Sequence, residues 1–379
     1  MRFLHTSDWH LGRIFHGLHL TEEQSSVLAQ LVELAVNSKV DAVLIAGDIY
    51  DRAVPPTQAV TLLDETLSTL VKKHNIPVIM IAGNHDNPER LAFAQSLLAE
   101  GRLFIYGPVQ KDARPVVLYD EFGPVYFAPL TYADPFTATN AAALELTSHE
   151  AALRWQVESM LAQIPAAARK VALAHVFLTG SSESPDSERP LSIGGASTVG
   201  AENFAAFDYT ALGHLHACQQ GGDKIRYSGS LLKYSFNETD QTKGVHIVEL
   251  DSEGNAAVET VVLKPTHELA RLRGTFADLL ENPRAELRNN YLQVVLDDGQ
   301  PVLDAKYRLE QAYPHILHLE YARLQNAAGE ITPGSHRRLG IKELFCSFFE
   351  QVNDRVLDEE EEKILDAVIE EASQAERSV

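Results

Sequence analysis

The sequence predicts a two-sheet α/β sandwich followed by a small α/β domain, and three observations carry this prediction. The first 100 residues alternate apolar runs of strand length with amphipathic runs of helix length, which is the pattern of βαβ units. Beyond residue 100, short β runs separated by glycine and proline predict largely antiparallel strands. From about residue 267, a compact β-α-β-α-β pattern predicts a separate unit.

Local signals justify the elements of the first region. Thr21 begins a helix with a T-E-E-Q first turn, and Pro55 and Pro56 introduce a second helix. Pro88 stands at the start of a third helix. The predicted elements are a strand at 2–7, a helix from Thr21 to about Asn37, a strand at 40–47, a helix at about 57–73, a strand at 76–83 and a helix at about 88–99.

Later elements are shorter. The β runs "LFIYG", "PVVLY" and "PVYFAPL" precede a helix near 148–163. Further strands are predicted at 170–177, 209–216, 225–230, 245–250 and 257–263.

The same signals predict the domain organisation. A large domain occupies 1–265, a small α/β domain 266–325, a linker 326–338 and a pair of helices 339–379. The first terminal helix carries three phenylalanines on one apolar face. That face either packs on the body of the protein or docks a partner chain, and both interpretations stay open.

Composition bounds the function. No apolar run approaches the ~18 residues of a membrane-spanning helix, and the N-terminus is too short and polar for a signal peptide. The sequence has two cysteines, Cys218 and Cys346, which predict neither a disulfide framework nor a thiolate zinc site. We therefore expect the protein to work in the reducing cytoplasm. A net charge of −21 argues against general affinity for nucleic acid, although bound divalent cations would reverse the field inside a cleft.

Five apolar runs end in residues that can bind a metal. In open α/β sheets, ligands bind beyond the carboxyl ends of the strands. Carboxylates, imidazoles and an amide without thiolates suit Mn²⁺, Fe²⁺ or Zn²⁺, and so many ligands suit two ions sharing a carboxylate. Three glycines, Gly47, Gly83 and Gly213, precede them and allow tight turns. The residues at the five strand ends are Asp8 and His10, then Asp48, then Asn84 and His85, then His175, then His214 and His216.

Each motif alone has an ordinary structural explanation. "GDIYD" is also typical of a helix-capping turn, "GNHD" of an Asx-rich turn, and a single histidine of a satisfied core ring. Within "GNHD", Asn84, His85 and Asp86 are equivalent candidates on spacing alone. Only the ordered set of five makes a purely structural explanation improbable.

The five blocks "SDWHLG", "GDIYD", "GNHD", "AHVF" and "GHLH" resemble those of the calcineurin-like metallophosphoesterases. The closer resemblance is to the SbcD/Mre11 nuclease family, because "LHTSDWHLG" stands at the N-terminus and a small α/β domain and helix pair follow. The resemblance implies a four-layer α/β/β/α sandwich with a small capping domain that binds DNA. It also implies a DNA nuclease that uses two divalent ions, with Mn²⁺ expected.

The resemblance assigns roles residue by residue. Asp8, His10, Asp48 and His216 would hold the first ion, and Asp48, Asn84, His175 and His214 the second, with Asp48 bridging. His85 would act on the phosphate in the transition state. Asp51 departs from the family, whose archaeal and eukaryotic members commonly have histidine there. We therefore expect Asp51 to orient a neighbour, and Asp86 to steady the residues beside it.

Substrate and partners are also implied by the resemblance. The expected activities are a 3′–5′ double-strand exonuclease and a single-strand or hairpin endonuclease in DNA repair and recombination. Arg13, His16, Arg52 and Arg90 lie near the motifs and are either phosphate contacts or solvated surface residues. The family implies a homodimer through helices at about 57–73 and 88–99, with six candidate side chains. They are Leu62, Leu63, Leu67, Leu70, Leu91 and Phe93.

The resemblance implies that the terminal helices 339–379 bind an SbcC/Rad50-like coiled-coil ATPase. This chain has no phosphate-binding loop of its own, so any ATP dependence must come from such a partner. The alternative function is a phosphatase for a phosphoprotein or small phosphate ester. Against it, Ala53 stands where protein phosphatases have glycine, and Asp86 where they have glutamate. A non-catalytic scaffold on the same fold is a further alternative, but scaffolds typically lose ligands and none is missing here.

Overall fold

The protein is described from a computed structural model, which covers residues 1–184 and 198–322 together with Glu361 and Leu365. The predicted linker at 326–338 lies outside the described residues. So does the predicted helix pair at 339–379, apart from those two residues.

The strands are between two and eight residues long. In chain order they are β1 (Arg2–Thr6), β2 (Ile14–Phe15), β3 (Leu18–His19), β4 (Ala42–Ala46), β5 (Val78–Ile81), β6 (Leu103–Tyr106), β7 (Val116–Asp120), β8 (Gly123–Leu130), β9 (Arg169–His175), β10 (Phe177–Leu178), β11 (Thr198–Val199), β12 (Tyr209–Gly213), β13 (Gln219–Gly222), β14 (Ile225–Tyr227), β15 (Gly244–Leu250), β16 (Ala256–Val262), β17 (Leu269–Gly274), β18 (Tyr291–Leu296) and β19 (Ile316–Tyr321).

The helices lie between them. They are α1 (Thr21–Asn37), α2 (Thr57–Ser68), α3 (Pro88–Leu91), α4 (Gln95–Glu100), α5 (Pro135–Ala142), α6 (His149–Leu161), α7 (Phe276–Glu281) and α8 (Ala305–Leu309). A π-helical turn at Thr69–Lys73 extends α2, and 3₁₀ turns lie at Ala201–Phe204, Phe236–Glu238 and Ala285–Leu287.

The first sheet has the strand order β16-β15-β1-β4-β5-β6. Strands β1, β4, β5 and β6 are parallel, and β15 and β16 extend the sheet in antiparallel fashion. Every residue of β4 is buried, which is why this strand is a continuous apolar run rather than an alternating one.

The second sheet has the order β13-β14-β12-β9-β8-β7. The prediction of largely antiparallel strands is wrong here, because β8, β9, β12 and β14 are parallel and only the edge pairs are antiparallel. The physical reason is the crossover through α5 and α6, which returns the chain to the same end of the sheet before β9 begins.

Three apolar cores arrange these sheets in four layers. Leu28 of α1 packs with Ile45 on one face of the first sheet. Phe3 and Phe127 meet edge to face between the two sheets, with ring centroids 5.9 Å apart. Val157 of α6 belongs to the core on the outer face of the second sheet. The predicted four-layer α/β/β/α sandwich is therefore confirmed.

The predicted helix at 88–99 is interrupted. Ala94 adopts a left-handed φ of 58°, so α3 ends at Leu91 and α4 begins only at Gln95. The predicted single face is broken, and Phe93 and Leu97 are 80% and 72% exposed.

The strands β17, β18 and β19 form a separate three-stranded parallel sheet, here called the small sheet. It buries its own core with α7 and α8, and Leu279 and Tyr313 lie fully inside that core. Glu23 of α1 joins the small sheet to the sandwich. Its carboxylate accepts a hydrogen bond from the Thr266 amide at 2.8 Å and pairs with His267 Nδ1 at 2.5 Å.

Candidate active site

The candidate site lies where the carboxyl ends of the two sheets meet. Asp8, Asp48 and Asn84 follow β1, β4 and β5 of the first sheet, and His175 ends β9 of the second. His175 Nδ1 donates a hydrogen bond to the carbonyl oxygen of Ala46 in β4, at 2.9 Å. This bond crosses from one sheet to the other, so residues far apart in the sequence share one buried space.

The backbone at these strand ends is unusual. Asp8, His10 and Asp48 have φ values of 52°, 45° and 50°, and His214 has a φ of 102°. Non-glycine residues adopt such values at a cost of ~1–3 kcal/mol each, and they concentrate at functional sites. The turns therefore direct these side chains inward against the preference of the backbone.

The preceding glycines serve two purposes. Gly47 has a φ of 89°, as a tight turn requires. Gly83 instead provides space, because an added Cβ would lie 2.2 Å from Asp48 Oδ1. Gly213 also provides space, because a Cβ added there would lie 2.0 Å from the carbonyl oxygen of Ala46.

One group of potential ligands contains Asp8, His10 and His216, all buried. The Nε2 atoms of His10 and His216 are 3.0 Å apart. Ser7 Oγ donates to Asp8 Oδ2 at 2.5 Å, and the His214 amide donates to Asp8 Oδ1 at 3.0 Å. The carboxylate of Asp8 is thus held in one orientation.

A second group surrounds Asp48. His175 Nε2 lies 3.4 Å from Asp48 Oδ2, and His10 Nε2 lies 3.7 Å from the same oxygen. Asn84 Oδ1 lies 2.9 Å from His175 Nε2 and 3.2 Å from His214 Nδ1. Asp48 therefore lies near His10 of the first group as well as His175, and Asp8 in turn belongs to a group with Asp48 and His175.

The hydrogen-bond pattern fits bound cations. Because His175 Nδ1 donates to a carbonyl, the neutral ring presents a bare lone pair at Nε2. That lone pair faces Asn84 Oδ1 and Asp48 Oδ2, neither of which carries a hydrogen. Three acceptors this close repel one another unless a positive charge lies among them. Within the described residues, His10 Nδ1 and His214 Nε2 are buried without hydrogen-bond partners.

The pKa values respond to the same crowding. Burial raises the pKa of Asp48, but the surrounding imidazoles, His175 first, hold it well below its usual range. Burial lowers the pKa of His175, but Asp48 and Asp8 outweigh burial and raise that pKa to about 9. Without metal, the His175 ring is therefore protonated, and it would have to lose that proton before it could bind a metal ion.

His85 stands at the open side of the site. Its amide donates to Asp48 Oδ1 at 2.9 Å, and its Nδ1 donates to the main-chain carbonyl oxygen of Asp51 at 2.9 Å. Its Nε2 lies 4.0 Å from Asp48 Oδ2. Since Nδ1 is engaged by a carbonyl, Nε2 carries a hydrogen only when the ring is protonated.

Asp51 acts through two different groups. Its carbonyl orients His85, whereas its carboxylate pairs with Arg13 Nη1 at 2.8 Å and lies 3.8 Å from His10 Nδ1. The guanidinium of Arg13 also lies over the ring of Tyr234, 5.8 Å from its centroid.

Asp86 ties two loops together. Its carboxylate accepts hydrogen bonds from the amides of Gly83, Ile49 and Tyr50 at 2.9, 3.1 and 2.9 Å. These hydrogen bonds connect the turn after β5 to the turn after β4. That Asp86 steadies the ligands beside it stays a prediction.

Comparison with known proteins identifies the family. The model of the calcineurin-like phosphoesterase family matches residues 1–218, more than half of the chain. The SbcD_C model, described as the Type 5 capsule protein repressor C-terminal domain, matches residues 265–353. A protein of Staphylococcus epidermidis (strain ATCC 12228 / FDA PCI 1200), named as the D subunit of the nuclease SbcCD, is 34% identical over 322 residues, 84% of this chain and 85% of that protein. The chain belongs to the SbcD nuclease family.

Membership of the SbcD family confirms the prediction of a metal-dependent phosphodiesterase and implies divalent metal ions. Among solved structures, TT1561 of Thermus thermophilus is 14% identical, with a TM-score of 0.42 over 69% of this chain and 99% of that one. None of the helices in the described ranges has the length and apolar character of a membrane span.

The sequence prediction missed Glu238 in this SbcD-family chain. Its buried carboxylate lies 3.3 Å from His216 Nδ1, 2.8 Å from Lys243 Nζ and 3.0 Å from the Tyr234 amide. It therefore fixes the ring of His216 with Nε2 toward His10. No periodic signal marks Glu238, because it lies in a 3₁₀ turn.

Gln24 was missed as well. Its side chain donates to the His10 carbonyl oxygen at 2.7 Å and accepts from the Gly12 amide at 3.1 Å. It thereby holds the first motif of the SbcD-family site in place. One signal in the sequence could have identified Gln24: it is a polar residue on the apolar face of the predicted helix, and a buried polar side chain needs hydrogen-bond partners.

The predicted DNA-contact residues occupy different environments. Arg13 is half-buried beside Asp51, and Arg52 is 64% exposed with Nε 3.6 Å from the Asp51 carboxylate. His16 is exposed after β2, and Arg90 is exposed on α3. Among the described residues, the Arg90 side chain forms no ion pair.

Proposed function

We propose that this chain is the nuclease subunit of a DNA-processing complex and hydrolyses DNA phosphodiesters at the site described above. The proposed activities are 3′–5′ double-strand exonuclease and single-strand or hairpin endonuclease action in DNA repair and recombination in the cytoplasm, at the nucleoid. One observation carries the proposal. Seven potential metal ligands and one further histidine from both sheets converge on a single buried space.

We assign the ligands as two sets that share Asp48. Asp8, His10, Asp48 and His216 would hold one ion, and Asp48, Asn84, His175 and His214 the other. The contacts of Asp48 with His10 at 3.7 Å and with His175 at 3.4 Å support this sharing. Imidazole, carboxylate and amide donors without sulfur fit Mn²⁺, which we propose as the metal.

The chain's own residues perform the remaining steps. Held by these two sets, divalent ions would supply positive charge near the phosphate oxygens and would lower the pKa of a water molecule. His85, held by the Asp51 carbonyl, presents Nε2 to the substrate side. Protonated at that atom, it would donate to the leaving 3′ oxygen or to the charge that develops on phosphate. Asp86 and Glu238 keep the loops and rings in register for this arrangement.

Two substitutions test this division of roles. His85→Ala is expected to keep both ions while turnover falls about 10²–10⁴-fold, because only proton donation is lost. Asp48→Ala is expected to lose metal, because both sets share that carboxylate. The measurements are Mn²⁺ binding by calorimetry and cleavage of hairpin and duplex DNA, with a chromogenic phosphate monoester offered separately.

His74→Ala is the matched control, since His74 precedes β5 and so lies at the end of that strand away from Asn84 and His85. Loss of metal in His85→Ala would refute the assignment of His85. Turnover of the monoester without DNA cleavage would refute the nuclease proposal itself.

We further propose two protein partners. The similarity to a component of the nuclease SbcCD supports an SbcC-type ATPase that binds residues 339–379. A homodimer through α2, α3 and α4 is the second proposal. Of its six candidate residues, Phe93 alone is exposed, because the five leucines are buried in the sandwich. Val60 and Leu97 are exposed on the same helices and replace the leucines in the proposed face.

A further inference from the structure

The main chain of Asp51 is fixed beside His10. The loops after β1 and β4 continue to pair beyond the ends of the two strands. The His10 amide donates to the Asp48 carbonyl oxygen at 3.0 Å. The Leu11 amide donates to the Ile49 carbonyl oxygen at 2.9 Å, and the Asp51 amide donates to that of Leu11 at 3.2 Å. These hydrogen bonds hold the two loops in one register, so the side chain of Asp51 starts from a defined position next to the first motif.

One nitrogen of the His10 ring faces the metal site and the other faces Asp51. Its Nε2 lies 3.0 Å from His216 Nε2 and 3.7 Å from Asp48 Oδ2. A neutral imidazole that binds a metal through Nε2 carries its hydrogen on Nδ1, and metal-bound histidines usually donate that hydrogen to a carboxylate or a carbonyl. Within the described residues, His10 Nδ1 is buried without a hydrogen-bond partner, and Asp51 Oδ1 lies 3.8 Å from it. The carboxylate of Asp51 is therefore placed to favour the hydrogen at Nδ1.

Arg13 determines where that carboxylate lies. Its Nη1 donates to Asp51 Oδ1 at 2.8 Å, and this is the same oxygen that faces His10 Nδ1. The Asp51 side chain is only 7% exposed, so loss of the guanidinium would leave a buried negative charge without compensation. The ion pair therefore persists in the folded protein and keeps Oδ1 beside His10.

Arg13 is itself anchored to the first motif. Its amide donates to the His10 carbonyl oxygen at 3.0 Å, and its guanidinium lies over the ring of Tyr234, 5.8 Å from the ring centroid. The Tyr234 hydroxyl donates to the Trp9 carbonyl oxygen and accepts a hydrogen bond from the Gln24 side chain at 3.3 Å. A guanidinium held between a buried ring and a buried carboxylate is fixed before any substrate arrives.

A second arginine beside the same carboxylate is held less firmly. Arg52 Nε lies 3.6 Å from Asp51 Oδ2, but the Arg52 side chain is 64% exposed, against 23% for that of Arg13. Water screens the exposed pair, so Arg52 contributes little to the orientation of Asp51. Of the two arginines, Arg52 can leave the carboxylate for a phosphate at small cost and Arg13 cannot.

We propose that Arg13 is a positioning residue for one metal ion and not a contact to the substrate. It holds the Asp51 carboxylate beside His10 Nδ1, which fixes the ring hydrogen there and leaves Nε2 with a bare lone pair for the ion. His10 belongs to only one of the two proposed ligand sets, here called the first set, so Arg13 affects the affinity of that ion alone. This assignment rests on the function proposed above, because it uses the ligand sets given there. The first set contains Asp8, His10, Asp48 and His216.

Titration calorimetry of the metal-free full chain with Mn²⁺ tests the role of Arg13. The wild type should bind two ions. Arg13→Gln and Asp51→Asn should each lower the affinity for one ion about 10–100-fold and leave the affinity for the other unchanged. Both variants keep the main-chain carbonyl of residue 51, so His85 stays oriented. Arg13→Lys retains the positive charge beside Asp51 and should recover most of the lost affinity.

A double variant tests whether the two residues act through one interaction. Arg13→Gln/Asp51→Asn should bind Mn²⁺ no more weakly than the more affected single variant, because the effects of contacting residues that share one role do not add. Thermal unfolding of each metal-free variant separates a loss of metal affinity from a loss of folding. The matched controls are Arg102→Gln and Asp112→Asn, two exposed residues outside the site, and both should bind two ions like the wild type.

The role of Arg13 is overturned if Arg13→Gln binds both ions like the wild type, weakens both equally, or adds its effect in full to that of Asp51→Asn. A lower melting temperature with unchanged Mn²⁺ affinity would make the ion pair structural only. Weaker binding of DNA by Arg13→Gln in EDTA, with unchanged Mn²⁺ affinity, would make Arg13 a contact to the substrate. A wild type that binds two ions but cleaves no DNA would refute the nuclease function and leave the role of Arg13 intact, so the two failures are separable.

Discussion

Single atoms, rather than residue types, decide the arrangement around His85. Asp51 orients that ring through its main-chain carbonyl, which any amino acid at position 51 would provide. Its carboxylate is free for a different task and binds Arg13. A family position that commonly holds histidine can therefore hold aspartate here without disturbing the orientation of His85.

Glu238→Gln is the first prediction at this scale. An amide accepts only weakly from His216 and leaves the buried Lys243 ammonium without its carboxylate at 2.8 Å. Mn²⁺ affinity is expected to fall about 10–100-fold, as for other residues that orient metal ligands. Titration calorimetry measures this fall, with Glu259→Gln, an exposed glutamate on β16, as the control. Lower thermal stability with unchanged Mn²⁺ affinity would make Glu238 a structural residue only.

At the scale of elements, the sequence predicted site residues correctly where an apolar run ended clearly at a polar residue. The apolar runs before Asp8, Asp48 and His175 are buried strands, and the polar residue that follows each lies in the site. Strand direction in the second sheet was not predictable, because pairing depends on a crossover rather than on local sequence. The role of Glu238 was not predictable from the sequence either, because a short 3₁₀ turn has no periodic sequence pattern.

Strand β1 also carries a pH-sensitive contact between the sheets. His5 Nδ1 accepts from the Tyr209 hydroxyl at 2.9 Å and Nε2 donates to the Leu212 carbonyl oxygen at 3.1 Å. Burial, and then His246 opposite, hold the pKa of His5 well below its usual value. The folded state therefore keeps the ring neutral, and the unfolded state takes up the proton as pH falls below ~6.5.

We predict that protonation of His5 in the unfolded state lowers the free energy of unfolding by about 1.4 kcal/mol as the pH falls from 7.5 to 5.5. His5→Gln cannot titrate, so it should be less stable than the wild type at pH 7.5 but should lose about that much less on acidification. Urea unfolding of the metal-free protein at the two pH values measures the difference. His19→Gln, exposed on β3, should follow the wild type. Identical pH dependence in His5→Gln and the wild type would contradict the role of His5.

At the scale of the whole molecule, the charge of −21 is distributed unevenly. The proposed metal ions would give DNA a local attraction that the overall charge conceals. The net charge alone could not predict this, because Asp8, Asp48 and His175 are distant in sequence and come together only where the two sheets meet.

The terminal segment is expected to matter for the partner and not for the chemistry. Deleting residues 339–379 should abolish co-purification with an SbcC-type ATPase and leave Mn²⁺-dependent cleavage of single-stranded DNA, because every proposed ligand lies before residue 217. Pull-down and cleavage assays on the same preparation measure both. Normal ATPase binding by the truncated chain would show that the docking assignment is wrong.

The last prediction concerns the dimer. Phe93 and Leu97 expose 80% and 72% of their side chains around the break between α3 and α4, and Val60 on α2 exposes 45%. Large apolar side chains that stay exposed on helices are typical of a surface that another chain covers. Phe93→Ser/Leu97→Ser should therefore shift the full chain from dimer to monomer in light scattering. Tyr119→Ser, 75% exposed on edge strand β7 of the second sheet, should leave the mass unchanged. A wild type that is monomeric at all concentrations tested, or a double variant that remains dimeric, would exclude this face as the interface.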